Sequence, residues 1–400
     1  MRISKGMLLI ILMLLLFLLL AAGCTPSSSA DWVPYMSSTG AFGEQGYYYL
    51  SSSECLYFLD VDKGINVCLC SKVGCPHDTT VNTDPAAIFN CEAYISGSLV
   101  HEFPFFFLDG GLFYILSDDY GMHLVRRNAD GSGLRQIGTF CKPYIEARKT
   151  IDVQSYICAG GYLYYCADIC GLIDSDIVTE ACVLRRMDLR SGKEEELLSV
   201  PGYEYVSLCA AKGNGMLYLH YLLPERTGSP DDNEKRQTSP VRLMLWEEGT
   251  SKDTVLLEET FGEELNYKTI IDGALLYTTK EGDSFVTRSF NLNTKEDKKL
   301  SDVTCLTYLT EEYARRRNPE TKKVGIYNIA TDTFLDNDFE QCSLAFLNIN
   351  GKKLILSRRI PSPDNPTVIE KEIYFYVDID ALADGLQEED VVDFYILHMS

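Results

Sequence analysis

Gly160-Gly161-Tyr162-Leu163-Tyr164-Tyr165 is the first half of a pattern that recurs along the chain, and Leu184-Arg185-Arg186-Met187-Asp188-Leu189-Arg190-Ser191-Gly192-Lys193 is its second half. The pattern is typical of a Gly turn, an aromatic strand, a second alternating strand and a polar Ser-Gly turn. A unit of this kind has an apolar face that it cannot bury alone, so its copies must stack against one another. The sequence therefore predicts an all-β protein built from repeats.

The copies follow one another at a roughly 50-residue spacing, which is typical of four-stranded propeller blades. They begin at or near Gly46, Gly110, Gly160, Gly215, Asp272, Leu306 and Asn350; the copy at Leu306 lacks the Gly. We therefore expect a β-propeller of about seven four-stranded blades, formed by residues 32–400 as one domain. The strand-like segment from Asp390 to His398 is expected to pair with the stretch near Trp32 to Tyr35 and so to close the ring.

Each unit offers an inner strand, an aromatic strand, a strand of the form Leu-x-Arg-x-Asp and a short outer strand. The Tyr residues of the aromatic strand could form the core between blades or a platform that stacks on sugars. We favour the core, because these residues fall at the same place in every unit and stacked blades require apolar bulk there. Asp60-Val61-Asp62-Lys63-Gly64 is interpreted as a hairpin turn rather than a calcium loop, because it lacks the later Glu of such loops.

The stretch Arg127-Asn128-Ala129-Asp130-Gly131-Ser132-Gly133-Leu134-Arg135-Gln136-Ile137 resembles the repeat ending of TolB-type propellers. The Gly-x-Leu-Tyr-Tyr units are similar to those of propeller domains in bacterial surface lipoproteins related to the YWTD type, and the chain as a whole resembles uncharacterised lipoproteins of the clostridial type. The resemblance implies a propeller over most of residues 44 to 397. It implies little about function, because propellers host binding proteins, scaffolds and several enzyme classes.

The N-terminus has the features of a lipoprotein signal peptide. Arg2 and Lys5 precede an almost unbroken apolar run, which ends in Leu20-Ala21-Ala22-Gly23-Cys24. The run is short for a membrane span, and small residues before a Cys mark cleavage. Leu-Ala-Ala-Gly-Cys resembles the bacterial lipobox, which implies a signal peptide at residues 1–23, acylation of Cys24 and a polar tether at residues 24–31. The alternative is a plain secreted protein in which Cys24 is incidental.

The charge of the chain excludes one class of ligand. The formal net charge is −22 at pH 7, which repels the phosphate backbone of DNA and RNA. We therefore expect no nucleic-acid partner. The expected location is the extracytoplasmic face of the cell membrane, to which a lipid on Cys24 would anchor the protein.

An insert at about residues 66–100, after the first blade, contains the stretch most suited to chemistry of its own. It carries Cys70, Cys75, His77 and, later, Cys91. Three thiolates and an imidazole could complete a tetrahedral Zn²⁺ site, so a structural zinc is the one cofactor that the sequence offers. Disulfides are the competing interpretation in an exported chain, and free thiols in an anaerobic habitat are the third. The other Cys residues are expected to be small buried apolar side chains.

The sequence shows no established catalytic motif. The five histidines are His77, His101, His123, His220 and His398, and none stands in a hydrolase signature. We therefore expect a binding or scaffolding module that engages a protein, peptide or glycan through its loops, with the insertions in units one, four and seven as the candidate surface. The alternative is a surface hydrolase or lyase with its site in the central channel.

The lipid anchor can be tested by Cys24→Ala. We expect the variant to be released from membranes into the soluble fraction, because the substitution removes the only group that the lipobox pattern would acylate. Detergent-free fractionation of cells that express the natural chain and the variant measures this. A variant that stays with the membranes would show that the anchor is elsewhere.

Overall fold

The computed structural model describes the blades and most of the turns between them. The described residues are 32–34, 40–51, 54–73, 75, 91–95, 105–118, 120–173, 176–225, 231–250, 252–260, 266–271, 273–282, 284–302, 305, 307–310, 312–320, 322, 324–335, 343–349, 353–362, 369–384, 387 and 390–398. The predicted signal peptide, Cys24 and the tether lie outside them.

Seven antiparallel sheets follow one another along the chain, and each uses four consecutive strands in sequence order. Blade 1 consists of β2 (Gly40–Phe42), β3 (Tyr47–Leu50), β4 (Leu56–Asp60) and β5 (Ile65–Cys68). Blade 2 consists of β6 (Phe106–Leu108), β7 (Gly111–Asp118), β8 (Gly121–Asn128) and β9 (Arg135–Thr139). Blade 3 consists of β10 (Thr150–Ala159), β11 (Tyr162–Ile173), β12 (Asp176–Asp188) and β13 (Glu194–Pro201). Blade 4 consists of β14 (Tyr205–Lys212), β15 (Gly215–Tyr221), β16 (Pro240–Glu247) and β17 (Thr254–Thr260).

The second half of the ring has the same order. Blade 5 consists of β18 (Asn266–Ile271), β19 (Ala274–Glu281), β20 (Ser284–Asn291) and β21 (Asp297–Ser301). Blade 6 consists of β22 (Thr307–Tyr308), β23 (Tyr313–Arg317), β24 (Val324–Asn328) and β25 (Thr333–Phe334). Blade 7 consists of β26 (Ser343–Ile349), β27 (Lys353–Pro361), β28 (Ile369–Asp378) and β29 (Val392–His398). The predicted all-β propeller of seven four-stranded blades is confirmed.

Helices are few and short in the described part of the chain. They are α1 (Lys142–Glu146), α2 (Asp232–Gln237) and a 3-10 helix (Ile379–Asp384). None of these helices has the length and apolarity needed to cross a lipid bilayer. Each lies in a connection between strands, so the framework of the molecule is its sheets.

The core is divided into seven apolar clusters, one at each interface between neighbouring blades. Side chains alternate between the two faces of a strand, so neighbours in the second strand of a blade enter different clusters. Tyr165 packs against blade 2, whereas Tyr164 packs against blade 4. The cluster that joins Tyr47 and Tyr49 to Ile355 lies between blades 1 and 7 and closes the ring. The Tyr residues of the aromatic strands are therefore core, as the sequence predicted.

A side-chain hydrogen-bond turn is repeated between the third and fourth strands. Asp188 Oδ1 accepts the backbone N–H groups of Arg190 and Ser191 at 3.1 and 2.6 Å. Asn291 and Asn328 do the same in blades 5 and 6. Asp60 accepts from Asp62 and Lys63 at 3.2 and 3.1 Å, so the predicted hairpin turn in blade 1 is confirmed. An Asp or Asn that ends the third strand thus fixes this turn.

The predicted pairing of the two termini is wrong. The segment Val392–His398 forms the outer strand of blade 7, where Tyr395 pairs with Tyr374 of β28. The N-terminal strand β1 (Val33–Pro34) pairs instead with β14, the innermost strand of blade 4. The C-terminal segment follows β28 after one short helix, and closing a short loop costs less entropy than pairing distant termini. The ring is therefore shut by side-chain packing between blades 7 and 1.

A pair of adjacent glycines allows the contact between blades to be tested. Gly160 and Gly161 both have positive φ angles, of 57° and 84°. A Cβ on Gly160 would lie 2.0 Å from Gly213 Cα of blade 4, whereas a Cβ on Gly161 would meet nothing within 4 Å. Gly161→Ala should therefore cost only the backbone strain, about 1 kcal/mol. Gly160→Ala should lower the free energy of unfolding by about 2 kcal/mol more, because it forces the two blades apart.

Urea unfolding of the two variants and the natural chain measures this difference. Gly161→Ala is the matched control, since it imposes the same type of strain without the clash. Equal losses in the two variants would mean that the blades do not approach closely at this turn.

Candidate functional site

The structure brings three of the four predicted metal ligands together. The sulfur atoms of Cys70, Cys75 and Cys91 all lie within 4.8 Å of one another, although Cys91 is 16 residues beyond Cys75 in the chain. His77, the fourth predicted ligand, lies outside the described residues. β5 (Ile65–Cys68) overlaps the start of the insert predicted at about residues 66–100.

Hydrogen bonds fix both sides of this cluster. The Cys75 N–H donates to the Lys72 carbonyl at 3.3 Å and closes a turn. The Ser71 hydroxyl donates to Glu92 Oε2 at 2.6 Å and ties that turn to the second half of the insert. Arg127 Nη1 of blade 2 donates to the Glu92 carbonyl at 2.5 Å. The position of Cys91 is therefore set by blade 2 as well as by the insert.

The same segment is joined to blade 1. The Leu56 N–H donates to the Ala93 carbonyl at 2.9 Å, and the Ile95 N–H donates to the Glu54 carbonyl at 2.9 Å. Leu69 lies so close to the blade 2 turn that a Cβ on Gly131 would be 2.8 Å from it. The described segments of the insert, residues 69–73, 75 and 91–95, thus contact both blade 1 and blade 2, and they bring the three thiols together.

The three thiols differ in acidity. Burial raises the pKa of Cys91 to about 12 and also raises the pKa of Cys75. Burial acts in the same direction on Cys70, but backbone hydrogen bonds from Lys72 and Glu92 to its sulfur bring the pKa of Cys70 below its usual value. N–H groups directed at a sulfur stabilise its thiolate, which is the form that ligates a metal.

The geometry fits a tetrahedral metal. Sulfur atoms bound to Zn²⁺ at about 2.3 Å are about 3.8 Å apart, a separation that lies within the 4.8 Å spread of the three sulfurs. Thiolate ligands select Zn²⁺ or another soft ion. In a disulfide two sulfurs are about 2.05 Å apart, and a third sulfur in the same cluster would be left over. The arrangement therefore suits three thiolates and one further ligand, for which His77 is placed by the sequence.

Two further thiols adjoin this cluster. Cys55 is buried in the same apolar cluster as Cys91, and Cys68 packs against it. A hydrogen bond to Cys55 raises the pKa of Cys68, with a further contribution from burial. The remaining cysteines behave as predicted: Cys141, Cys166, Cys170, Cys182, Cys209 and Cys305 are buried, and Cys158 is half-buried. Cys342 lies outside the described residues.

A second candidate site lies on blade 3. β11 and β12 have 12 and 13 residues, the longest strands described. Near the end of their hairpin Leu172 and Ile177 are 75% and 70% exposed, and Val178 and Tyr203 are also exposed. A cleft of about 660 Å³ is lined by three of these residues, Ile177, Val178 and Tyr203. Pro201 at the end of β13 and Arg236 of α2 also line it. We call Leu172, Ile177, Val178 and Tyr203 the hairpin patch.

Sequence reasoning identified the insertion that contains α2 but missed the hairpin patch. The available signal was strand length, since the alternation of apolar residues continues well past the seven or eight residues found in the corresponding strands of neighbouring blades. The proposed loops of unit seven lie largely outside the described residues.

The central channel holds part of the chain itself. β1 adds a fifth strand to the inner edge of blade 4, with Val33 opposite Ala211 and Pro34 opposite Ala210. It also contacts β10 and β18, the inner strands of blades 3 and 5. The channel that a surface enzyme would use is therefore partly filled by residues Trp32 to Pro34.

Two described histidines with side-chain contacts, His123 and His220, lie on the third strand of blade 2 and on the second strand of blade 4. On β8, His123 Nε2 contacts Asp118 Oδ1 and Nδ1 contacts Thr139 Oγ1, both at 2.9 Å. On β15, His220 Nε2 contacts Glu204 Oε2 at 2.6 Å. Both sets of contacts join parts of one blade, while His398 ends an outer strand and His77 and His101 lie outside the described residues. These contacts support a structural role for both histidines.

Comparisons with known proteins identify the fold and leave the function open. The chain matches no known family model, and no curated protein sequence is significantly similar to it. A crystal structure of puromycin hydrolase matches with a TM-score of 0.51 at 11% identity, over 90% of this chain and 53% of that one. An oligogalacturonate lyase in complex with manganese matches with a TM-score of 0.50 at 13% identity, over 90% of this chain and 92% of that one. TolB from Acinetobacter baumannii matches at 14% identity over 90% of this chain and 79% of that one, with a TM-score of 0.38.

The chain spans about half the length of the hydrolase and peptidase structures that it matches. At these identities the matches support the fold alone, and a propeller fold by itself does not fix a function. Function must therefore be argued from the sites of this chain.

Metal binding by the insert can be decided by elemental analysis of the purified protein. We expect one zinc per chain, lost in Cys75→Ser, because two thiolates and a histidine hold zinc less well than three thiolates and a histidine do. Cys170→Ser is the control, since Cys170 belongs to the hairpin of blade 3. Metal-free protein in which two of Cys70, Cys75 and Cys91 resist alkylation until a reductant is added would show a disulfide instead.

Proposed function

We propose that this chain is a lipid-anchored binding module at the extracytoplasmic face of the membrane and that its partner is a protein. The observation that carries the proposal is the hairpin patch, where aliphatic side chains of a projecting hairpin are exposed to solvent. Contiguous apolar surface on a soluble protein marks an interaction site. Leu172 and Ile177 are opposite each other in the ladder of β11 and β12, so the backbone at this part of the patch is ordered before a partner binds.

The chemistry of the patch favours a protein over a glycan. Three of its four side chains, those of Leu172, Ile177 and Val178, are aliphatic and only Tyr203 is aromatic. Sugars, in contrast, are usually bound by the flat faces of exposed aromatic rings. Glu180, Glu225 and Arg236 border the patch with charges of both signs. An apolar centre with a polar rim is the usual composition of a protein–protein interface.

The proposed anchor limits how far the propeller can lie from the membrane. Cys24 precedes Trp32 by eight residues, which an extended chain spans in about 28 Å at most. A lipid on Cys24 would therefore hold the mouth of the channel close to the membrane surface, and the partner would be another molecule of the cell envelope. In this proposal the Cys70, Cys75 and Cys91 cluster is structural and fixes the insert between blades 1 and 2.

The hairpin patch can be tested with the double variant Leu172→Lys, Ile177→Lys. Two charges in an apolar interface should weaken capture of the partner from detergent-solubilised envelopes at least tenfold, because neither charge would be paired there. Capture is measured on immobilised protein by quantitative mass spectrometry, with the natural chain as reference. The substitutions should leave thermal stability unchanged, since both side chains are exposed.

The matched control is Phe285→Lys, at an exposed apolar position of blade 5. Equal capture by all three proteins would remove the hairpin patch as the binding surface. A captured partner whose binding disappears after glycosidase treatment would be a glycan, and the assignment to a protein would be wrong.

A further inference from the structure

The inner edges of the blades offer backbone hydrogen-bonding groups to the channel, and one of them is occupied. In the described residues β2, β6, β10, β18, β22 and β26 have a strand on their outer side only, whereas β14 also pairs with β1. An open strand edge is a template for adding another strand. Blade 4 thus shows how an extended segment binds in this channel.

The side chains at this edge explain why blade 4 is the one used. Ala210 and Ala211, the residues opposite β1, are small and fully buried, so another backbone can approach. Trp32 packs against the apolar cluster between blades 4 and 5. Lys212 Nζ lies 4.8 Å from the centre of the Trp32 ring, at cation–π distance, and is oriented by Glu247 Oε1 at 3.1 Å. We call the inner edge of β14 with Lys212 the blade 4 groove.

The segment in the groove is held by few interactions. Among the described residues two pairs form the ladder, and one of them contains Pro34, which has no N–H to donate. Val33 is 36% exposed, and Trp32 is only half-buried. Ordering a chain segment costs conformational entropy at every residue, so a contact of this size is readily exchanged.

The segment also connects opposite sides of the ring. Pro34 lies on blade 4 and Gly40 begins the inner strand of blade 1. Gly40 is six positions after Pro34 in the sequence, a separation that an extended chain spans in about 20 Å. Release of β1 would therefore open the groove, while the pairing of the other four strands of blade 4 stays unchanged.

We propose that the blade 4 groove is a binding site for an extended peptide with an aromatic residue followed by a β-branched residue, and that residues 32–34 are its intramolecular occupant. The inference rests on the proposed binding function and adds a second, separate site to it. A peptide in the groove would form the ladder with β14, place its aromatic ring under Lys212 and replace β1. Because β1 follows the proposed lipid anchor, tension on the tether would favour the exchange.

The test uses the mature chain made soluble by Cys24→Ala, with a second form that also carries Trp32→Ala and Val33→Gly to empty the groove. The probe is a synthetic peptide of residues 30–38 labelled with fluorescein, and its binding is followed by fluorescence anisotropy. We expect saturable binding to the form with Trp32→Ala and Val33→Gly, which we call the emptied form. Binding to the form with Cys24→Ala alone should be at least tenfold weaker, because its tethered residues 32–34 compete at a millimolar effective concentration. Adding Lys212→Gln to the emptied form should weaken binding several-fold, and a scrambled peptide should not bind.

Absence of saturable binding to the emptied form overturns the proposal. An affinity that is unchanged both by Lys212→Gln and by scrambling the peptide also overturns it. A second measurement does not depend on the folding of the emptied form. The chain has two Trp residues, so Trp246→Phe leaves Trp32 as the only one. Acrylamide should quench Trp32 at least twofold less in this chain than in the free peptide, and equal quenching also overturns the proposal.

The hairpin patch serves as the independent reference. The Leu172→Lys, Ile177→Lys chain should bind the peptide as well as the chain without these substitutions does. Loss of peptide binding with intact partner capture would refute the groove alone, whereas loss of partner capture with intact peptide binding would refute the hairpin patch alone.

Discussion

Burial of the second strand of each blade on both faces is the constraint on which the rest of this structure depends. Tyr164 and Tyr165 are adjacent in sequence, yet they pack against different neighbouring blades. A blade on its own would expose both faces of this strand, and a Tyr side chain has one of the largest apolar areas in a protein. Each blade therefore needs two neighbours, and only a closed ring provides them for all seven.

This constraint explains why the closing contact requires no shared sheet. The interface between blades 7 and 1 is built like the other six, from Ile355 and Tyr376 on one side and Tyr47, Tyr49 and Leu59 on the other. Because that packing already shuts the ring, the N-terminal segment is not needed for closure and is available for another position. The connections between strands are similarly free to vary, and the insert after blade 1, the long hairpin of blade 3 and the α2 connection differ from one blade to the next.

Features determined by residues close together in the sequence could be predicted, whereas features determined by contacts between distant residues could not. The blades were predictable because Gly turns, Asp and Asn turns and aromatic strands are local signals, repeated often enough to be recognised. The proximity of Cys70 and Cys75 is also local. Cys91 was offered as a ligand by the sequence, but the hydrogen bond from Arg127 of blade 2 to the Glu92 carbonyl, which helps to position it, joins distant residues and has no signal in the spacing. The partner of β1 could not be predicted, since two residues of extended chain fit many edges and the small side chains of Ala210 and Ala211 select one.

The position of β1 affects which kind of site the central channel can hold. In a propeller with an open channel, converging polar side chains from the inner strands can form a catalytic site, whereas here a segment of the chain's own backbone occupies the inner edge of blade 4. Main-chain hydrogen bonds recognise an extended backbone irrespective of its sequence, and a pocket for one aromatic ring adds selectivity. Because the occupying segment is continuous with the proposed membrane tether, the state of the channel and the position of the protein at the membrane are physically linked. A ligand that displaces β1 would lengthen the tether, and a pull on the tether would favour that ligand, since the two processes share one segment.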